Sequence, residues 1–326
     1  MKNLLKLSKL TFLLFVGFSI QSCSDDDDDV TTPTGPSNIV EIAMDTPDLS
    51  NLVAALSVAD GNLVDVLSGG EFTVLAPTNE AFETFLAANG FMSLSEVPTD
   101  VLSNILLNHV ISGTINSTNL VDAGSGYSTT NASNMDGDNL SLYFDTSSGV
   151  TFNGISSVVA ADIVASNGIV HVVDEVIGLP TVVTFAVSNP ALSTLVAALT
   201  TEGLSVDIVS ILSSSDEPSP FTVFAPTNDA FGSLLAELEL NALGDIPVDI
   251  LEATLGTHVA PEANVRSTDL VDGMSVNTIS STITVSLSDG AKLIDPNGRE
   301  SNIIAVDIQA YNGVVHVIDN VLLPQL

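Results

Sequence analysis

Positive charge is nearly missing from this chain. Its 326 residues hold six lysines and arginines against 40 acids. Lys2, Lys6 and Lys9 fall in the first 22 residues, so only Arg266, Lys292 and Arg299 follow, and the net charge beyond residue 22 is 3 − 40 = −37. Neutralising phosphates takes many cations, which excludes nucleic acid as a partner and excludes direct attraction to anionic headgroups. So acidic a surface suits salty water, divalent cations or a basic partner. Tryptophan is absent and tyrosine occurs three times, which argues against stacking on sugars. The single cysteine, Cys23, has no second thiol to pair with, so stability must come from packing. No G-x-S-x-G, no H-E-x-x-H and no cysteine occur in the folded region, so no motif supports catalysis, and no cofactor is expected.

What is present begins with a targeting segment. Lys2, Lys6 and Lys9 precede an apolar run from Leu10 to Ile20, too short to span a bilayer and suited to a secretory signal over residues 1–22. Cys23 follows directly. Its placement resembles a bacterial lipobox, which implies cleavage before Cys23 and acylation of its thiol; the alternative is an ordinary signal whose cysteine is incidental. Gln21 departs from the small residue usual there. Asp25 to Asp29 form a block of like charge that reads either as a solvated spacer or, by resemblance, as the surface-export tag of Bacteroidetes lipoproteins. With Thr31 to Ser37 this makes residues 23–37 a stiff tether. The expected location is an outer-membrane lipoprotein displayed on the cell surface, touching the membrane only through its lipid.

Two phrases then occur twice. Phe72-Thr73-Val74-Leu75-Ala76-Pro77-Thr78-Asn79-Glu80-Ala81-Phe82 returns from Phe221 to Phe231, nine of eleven positions identical at an offset of 149. Asn167-Gly168-Ile169-Val170-His171-Val172-Val173-Asp174-Glu175-Val176 returns from Asn312 to Val321, seven of ten identical at an offset of 145. Repeats this long mean tandem domains rather than a solenoid. The first phrase reads as a buried strand, a proline break and a helix capped by Thr78 or Asn79. The second carries Asn-Gly between β-branched runs, a hairpin signal. Both phrases resemble the signatures of the fasciclin-like (FAS1) family, and the resemblance covers about residues 38–326.

Each unit is expected to open with a helix at Pro47 or Pro190, capped by Thr46 or Asn189. Leu49, Leu52, Val53 and Leu56 then fall at helical spacing, as do Leu192, Leu195, Val196 and Leu199. Further helices start at Pro98 and Pro247, and the later half of each unit turns to strands. Gly124-Ser125-Gly126 reads as a flexible loop. Helices first and strands later make an α+β unit. The resemblance implies two tandem FAS1 domains (38–180 and 181–326), each a wedge-shaped β-sandwich with helices packed along one edge.

Candidate site residues are few. All four histidines lie at repeated positions, His109 with His258 and His171 with His316. They read as metal ligands or acid–base groups, or, given their apolar neighbours, as buried rings bonded to backbone; the second reading makes His171 and His316 structural and leaves no metal site. Asn134-Met135-Asp136-Gly137-Asp138 reads as a hairpin turn or a calcium loop, though it lacks the order and closing glutamate of the latter. In animal members of the family, adhesion is attached to an Asp-Ile pair and a Tyr-His pair. Asp162-Ile163 and Asp307-Ile308 match the first. His109 and His258 match half of the second, with Asn108 and Thr257 in place of tyrosine. The Asp-Ile pair also reads as a core strand residue beside a turn-capping aspartate. The resemblance therefore implies a non-enzymatic adhesion lipoprotein that binds an extracellular protein or polysaccharide matrix, with divalent cations among its suitable partners. The alternative is a module binding a small molecule or polysaccharide.

Overall fold

The computed structural model describes residues 36–325; the signal segment, Cys23 and the aspartate run lie outside them. The first repeat runs α1 (Ile39–Asp45), α2 (Ser50–Val58), α3 (Leu63–Gly69), β1 (Phe72–Pro77), α4 (Asn79–Ala88), α5 (Thr99–Leu107), β2 (Val110–Ser112) and α6 (Ser117–Ala123). Five strands follow: β3 (Ser125–Ser133), β4 (Asn139–Asp145), β5 (Thr151–Phe152), β6 (Ser156–Ala165) and β7 (Gly168–Val173). The second repeat runs α7 (Val182–Ser188), α8 (Ser193–Leu199), α9 (Ile208–Ser213), β8 (Phe221–Pro226), α10 (Asn228–Glu237), α11 (Val248–Thr257) and β9 (Val259–Ala260). It ends with β10 (Ser275–Asn277), β11 (Thr282–Ser286), β12 (Lys292–Ile294), β13 (Glu300–Ala310) and β14 (Gly313–Ile318).

Each repeat makes one seven-stranded sheet, in the order β2-β1-β7-β6-β5-β4-β3 and β10-β11-β12-β13-β14-β8-β9. The two repeated phrases are neighbours in it. β1 lies parallel to β7 from Phe72↔Gly168 to Pro77↔Val173, and β8 lies parallel to β14 from Phe221↔Gly313 to Pro226↔Ile318. In the first repeat the sheet curls until its edges approach, and the Ser112 hydroxyl of β2 donates to Asn131 Oδ1 of β3 at 2.9 Å. Leu75, Leu142, Phe144, Phe152 and Val173 fill the space inside the curl. The helices cover the opposite face, where Leu49, Leu52, Phe82, Leu102 and Val170 form a second core. This is the expected α+β unit. Both faces of β1 are buried, which explains why Val74, Leu75 and Ala76 run on without polar alternation.

Four local expectations are corrected. Each repeat opens one helix earlier than the proline signal suggested, with α1 and α7, and Pro47 and Pro190 begin a single 3-10 turn instead. Asn189 caps that turn by accepting from Ala191 N, whereas Thr46 turns its hydroxyl back onto the Ile42 carbonyl of α1. The Asn-Gly hairpin forms, yet its turn is Ser166-Asn167, and Gly168 already pairs with Ala165 as the first residue of β7. Ser125 and Gly126 begin strand β3 rather than a loop. The Thr78 hydroxyl is the cap of α4, accepting from Ala81 N; Asn79 instead bonds the start of α2 through Asn51 N.

The repeats share an interface. The rings of Tyr127 and Tyr143 in β3 and β4 lie with centroids 5.1 Å apart and planes tilted by 58°, and Tyr127 meets Phe185 of α7 edge-on at 5.7 Å. Asn189 Nδ2 donates to the Tyr127 hydroxyl, and Gln309 N of β13 donates to Ser141 Oγ of β4. Arg266 Nε lies 2.8 Å from Asp138 Oδ2.

Candidate functional site

The four histidines are all buried, at 0 to 2% exposure. His109 sits just past the end of α5, where Nδ1 donates to the Ile105 carbonyl and Nε2 accepts from Ile177 N. His258 repeats this with Thr254 O and Leu322 N. Burial pushes both rings down to about 4, so they are neutral at neutral pH. His171 in β7 uses the other tautomer: Nε2 donates to Ile115 O, while Nδ1 accepts from Asp162 N at 3.3 Å. His316 does the same with Val265 O and Asp307 N, stacks on Phe224, and is pushed down by burial. Every ring joins segments far apart in sequence. Enclosed in this way, His109 and His258 present no ring atom for a partner to touch.

The Asp-Ile pair is brought to His171 and His316. Asp162 and Asp307 take left-handed backbone angles (φ +59° and +57°) at an irregularity in β6 and β13, a conformation aspartate tolerates. Each carboxylate accepts from the amide of a serine far back in the sequence, Ser117 N at 2.8 Å (45 residues earlier) and Ser267 N at 2.7 Å (40 residues earlier), and from the same serine's hydroxyl. The Ser117 hydroxyl and amide hold the Asp162 carboxyl below the usual carboxylate range, and its side chain remains 39% exposed. Ile308 is buried and Ile163 half-buried against the helical core. The isoleucine is thus a packing residue and the aspartate the outward one.

Serine, aspartate and histidine therefore meet twice, but in an order that does not activate the serine. A nucleophilic hydroxyl needs the imidazole beside it as base. Here the carboxylate lies between, and the ring's Nε2–H is spent on a carbonyl. The two serines were missed in the sequence although a third repeated phrase marks them. Ser117-Thr118-Asn119-Leu120-Val121-Asp122 matches Ser267-Thr268-Asp269-Leu270-Val271-Asp272 in five of six positions.

The Asn134–Asp138 stretch is the β3–β4 hairpin turn. Asn134 Oδ1 accepts from Asp136 N and Asp138 N, while Asn264 Nδ2 donates to both aspartates and Arg266 binds Asp138. Its carboxylates are engaged by the second repeat. Among the described residues no group of three or more histidine, cysteine, aspartate or glutamate side chains is arranged to hold a metal ion. Also among them, no single helix is long and apolar enough to cross a membrane.

Comparison with known proteins agrees with this architecture. The chain is 29% identical over 257 residues to transforming growth factor-beta-induced protein ig-h3 of Sus scrofa, covering 78% of this chain and 35% of that protein. It is 38% identical over 146 residues to protein sll1483 of a Synechocystis strain, covering 45% of this chain and 74% of that one. Cell surface glycolipoprotein MPB83 of Mycobacterium bovis matches at 45% over 94 residues, 25% of this chain and 41% of its own length. The chain thus spans well under half of the porcine and mycobacterial proteins. Among solved structures, a FAS1 domain pair from the insect cell adhesion molecule Fasciclin I superposes with a TM-score of 0.51 at 21% identity, covering 85% of this chain and 97% of that one. The Fasciclin domain model matches twice, over residues 47–180 and 190–324, and the chain belongs to that family as a tandem pair.

Proposed function

We propose that this chain is a non-enzymatic surface protein that attaches its cell to extracellular protein or polysaccharide through the outward faces of β6 and β13. The observation that carries this reading is the pattern on those strands. Val159 and Val164 are 58% and 75% exposed beside Asp162, and Ile304 and Val306 are 57% and 45% exposed beside Asp307. Stiff β-branched side chains on a sheet, next to a carboxylate already fixed by a serine, lose little freedom when a partner covers them. The partner meets the aspartates and the exposed β-branched residues; Ile163 and Ile308 pack from beneath, and His171 and His316 hold the backbone of Asp162 and Asp307. His109 and His258 act only at a distance, by fastening the ends of α5 and α11 within each domain. The relatives support the reading, since one is a cell surface glycolipoprotein and the similar structure comes from a cell adhesion molecule. On this reading Cys23 carries the lipid that holds the chain on the outer membrane, and residues 23–37 hold the two domains away from it.

Attachment to an immobilised matrix protein, a polysaccharide and partner cells tests the proposal. Wild-type cells, a strain lacking the chain and a strain expressing the Val159→Lys, Val164→Lys double variant are compared. Both altered strains should attach several-fold less, with the variant's urea midpoint unchanged. Equal attachment of all three strains on every surface overturns the proposal. Protease shaving of intact cells should release domain fragments, and Cys23→Ser should shift the protein into the medium.

A further inference from the structure

Counterpart faces of the two repeats differ on helices α5 and α11. Pro98 to His109 corresponds to Pro247 to His258, which sets Asn104 opposite Ala253 and Leu107 opposite Gly256. In the first repeat the larger side chains leave less room on this face. Asn104 bonds the backbone of Ser133 in β3 twice, and Leu107, Met135 and Tyr311 share a cleft of about 350 Å³. In the second repeat β10 stops at Asn277, and the shortened side chains open a groove of about 590 Å³. Gly256 is explained by packing, since a Cβ there would lie 2.1 Å from Ser280 Oγ. Ala253 is not; it is half-exposed and lines the groove.

Ile208, Ile211, Leu212, Val248 and Ile279 supply an apolar lining, and among the described residues the only charged side chains in it are Asp249 and Glu252. These two lie three residues apart and so on one helix face. Ser205 fixes Glu252 by donating its amide and hydroxyl to the carboxylate, which keeps that carboxyl below its usual range. Arg266, Lys292 and Arg299 do not line the groove, so its negative charge has no local counter-ion from the chain's folded part. Its volume is that of a small-molecule pocket.

We propose that this groove binds a small amphiphilic ammonium compound, its aliphatic or aromatic body on the isoleucine–leucine lining and its cationic nitrogen on Glu252 and Asp249. The site is separate from the strand faces assigned to adhesion.

Calorimetric titration of the full mature chain at 0.15 M salt, where long-range attraction is screened, tests this with three probes of one shape: 3-phenylpropylammonium, 3-phenylpropanol and 3-phenylpropanoate. The ammonium should bind about tenfold more tightly than the alcohol, the ratio that one charge-assisted hydrogen bond supplies. The carboxylate should not bind. Glu252→Gln should remove that tenfold advantage while leaving the alcohol's affinity intact, and Ala253→Leu should abolish binding of both with the urea midpoint preserved. No binding of the ammonium at millimolar concentration overturns the proposal. Survival of its binding in Ala253→Leu does so too, and so does an equal loss on neutralising Glu80 in the first repeat, because each would mean a diffuse ion atmosphere instead of a site.

Discussion

A buried imidazole is held by the partners of its two ring nitrogens, and this chain has two pairs of such rings. His109 and His258 donate from Nδ1, His171 and His316 from Nε2, so each pair is built for one tautomer. The consequence is a pH dependence with a definite sign. For His109 and His258 burial lowers the folded value from 6.5 to about 4, so the unfolded chain binds more protons between these limits. Their contribution is fully present above pH 6.5 and is lost as pH falls towards 4, by roughly 3 kcal/mol for each ring. Between pH 6.5 and 5 most carboxylates are still ionised, so histidine dominates that window. Urea midpoints should fall across it, and His109→Gln should flatten the slope; a wild-type midpoint constant from pH 6.5 to 5 would refute the account. The burial of these rings was legible in their apolar neighbours. Their bonding was not, because the partners Ile177 and Leu322 lie more than 60 residues away.

At the scale of elements, the second repeated phrase does more than turn a hairpin. Asn312, fully buried, accepts from Val182 N at the start of α7 and donates to Leu212 O and Ser214 O at the end of α9. Asn167 makes the equivalent bonds to Ile39 N, Leu67 O and Gly70 O. One amide thus fastens two helices to the sheet, which explains why asparagine stands at this turn in both copies. Gly313 takes φ +151°, and a Cβ there would lie 2.0 Å from the Phe221 carbonyl oxygen of the neighbouring β8. Backbone cannot yield as a flexible side chain does, so Gly313→Ala should cost more than about 3 kcal/mol, through strain and displacement of β8. Thr227→Ala should cost only about 1 kcal/mol, since it removes a single cap bond to Ala230. Chemical denaturation of both variants checks the ranking, and a reversed order would mean that the sheet tolerates separation at its parallel pair. Signature strands and core helices were readable because their apolar spacing is regular. β3 was not, since Ser125–Ser133 is rich in serine, threonine and asparagine, and its burial comes from the curl of the sheet and the second repeat.

Over the whole molecule, the two copies have diverged where they meet. Tyr127 faces Tyr143 across β3 and β4, and in the second copy Ser275 faces Thr284 across β10 and β11. Tyr143 and Thr284 each stand four residues before a bridge of the same form, Ser147–Gly149 and Ser288–Gly290, which fixes the correspondence. The aromatic pair is therefore a feature of the first repeat alone, and Tyr143 is buried within the core of the second. Its weight exceeds that of the Arg266–Asp138 pair. That pair is partly exposed and worth at most about 1 kcal/mol, whereas burying aromatic rings supplies several. Sequence comparison of the repeats could have found this interface, but it requires strand registers that only the folded chain supplies. The Tyr127→Ser, Tyr143→Thr double variant gives the first repeat the residues with which the second already folds. Wild type should unfold in one transition, and the variant in two, with both repeats still folded before the first. Tyr127 also offers a direct reading of the closed interface, because burial pushes its phenol up to about 12. In Tyr143→Thr alone, alkaline ultraviolet titration should show Tyr127 ionising nearer 10, as its ring regains water. An unshifted Tyr127 together with a single unfolding transition in the double variant would mean that the polar contacts through Asp138, Ser141 and Gln309 hold the repeats together without the rings.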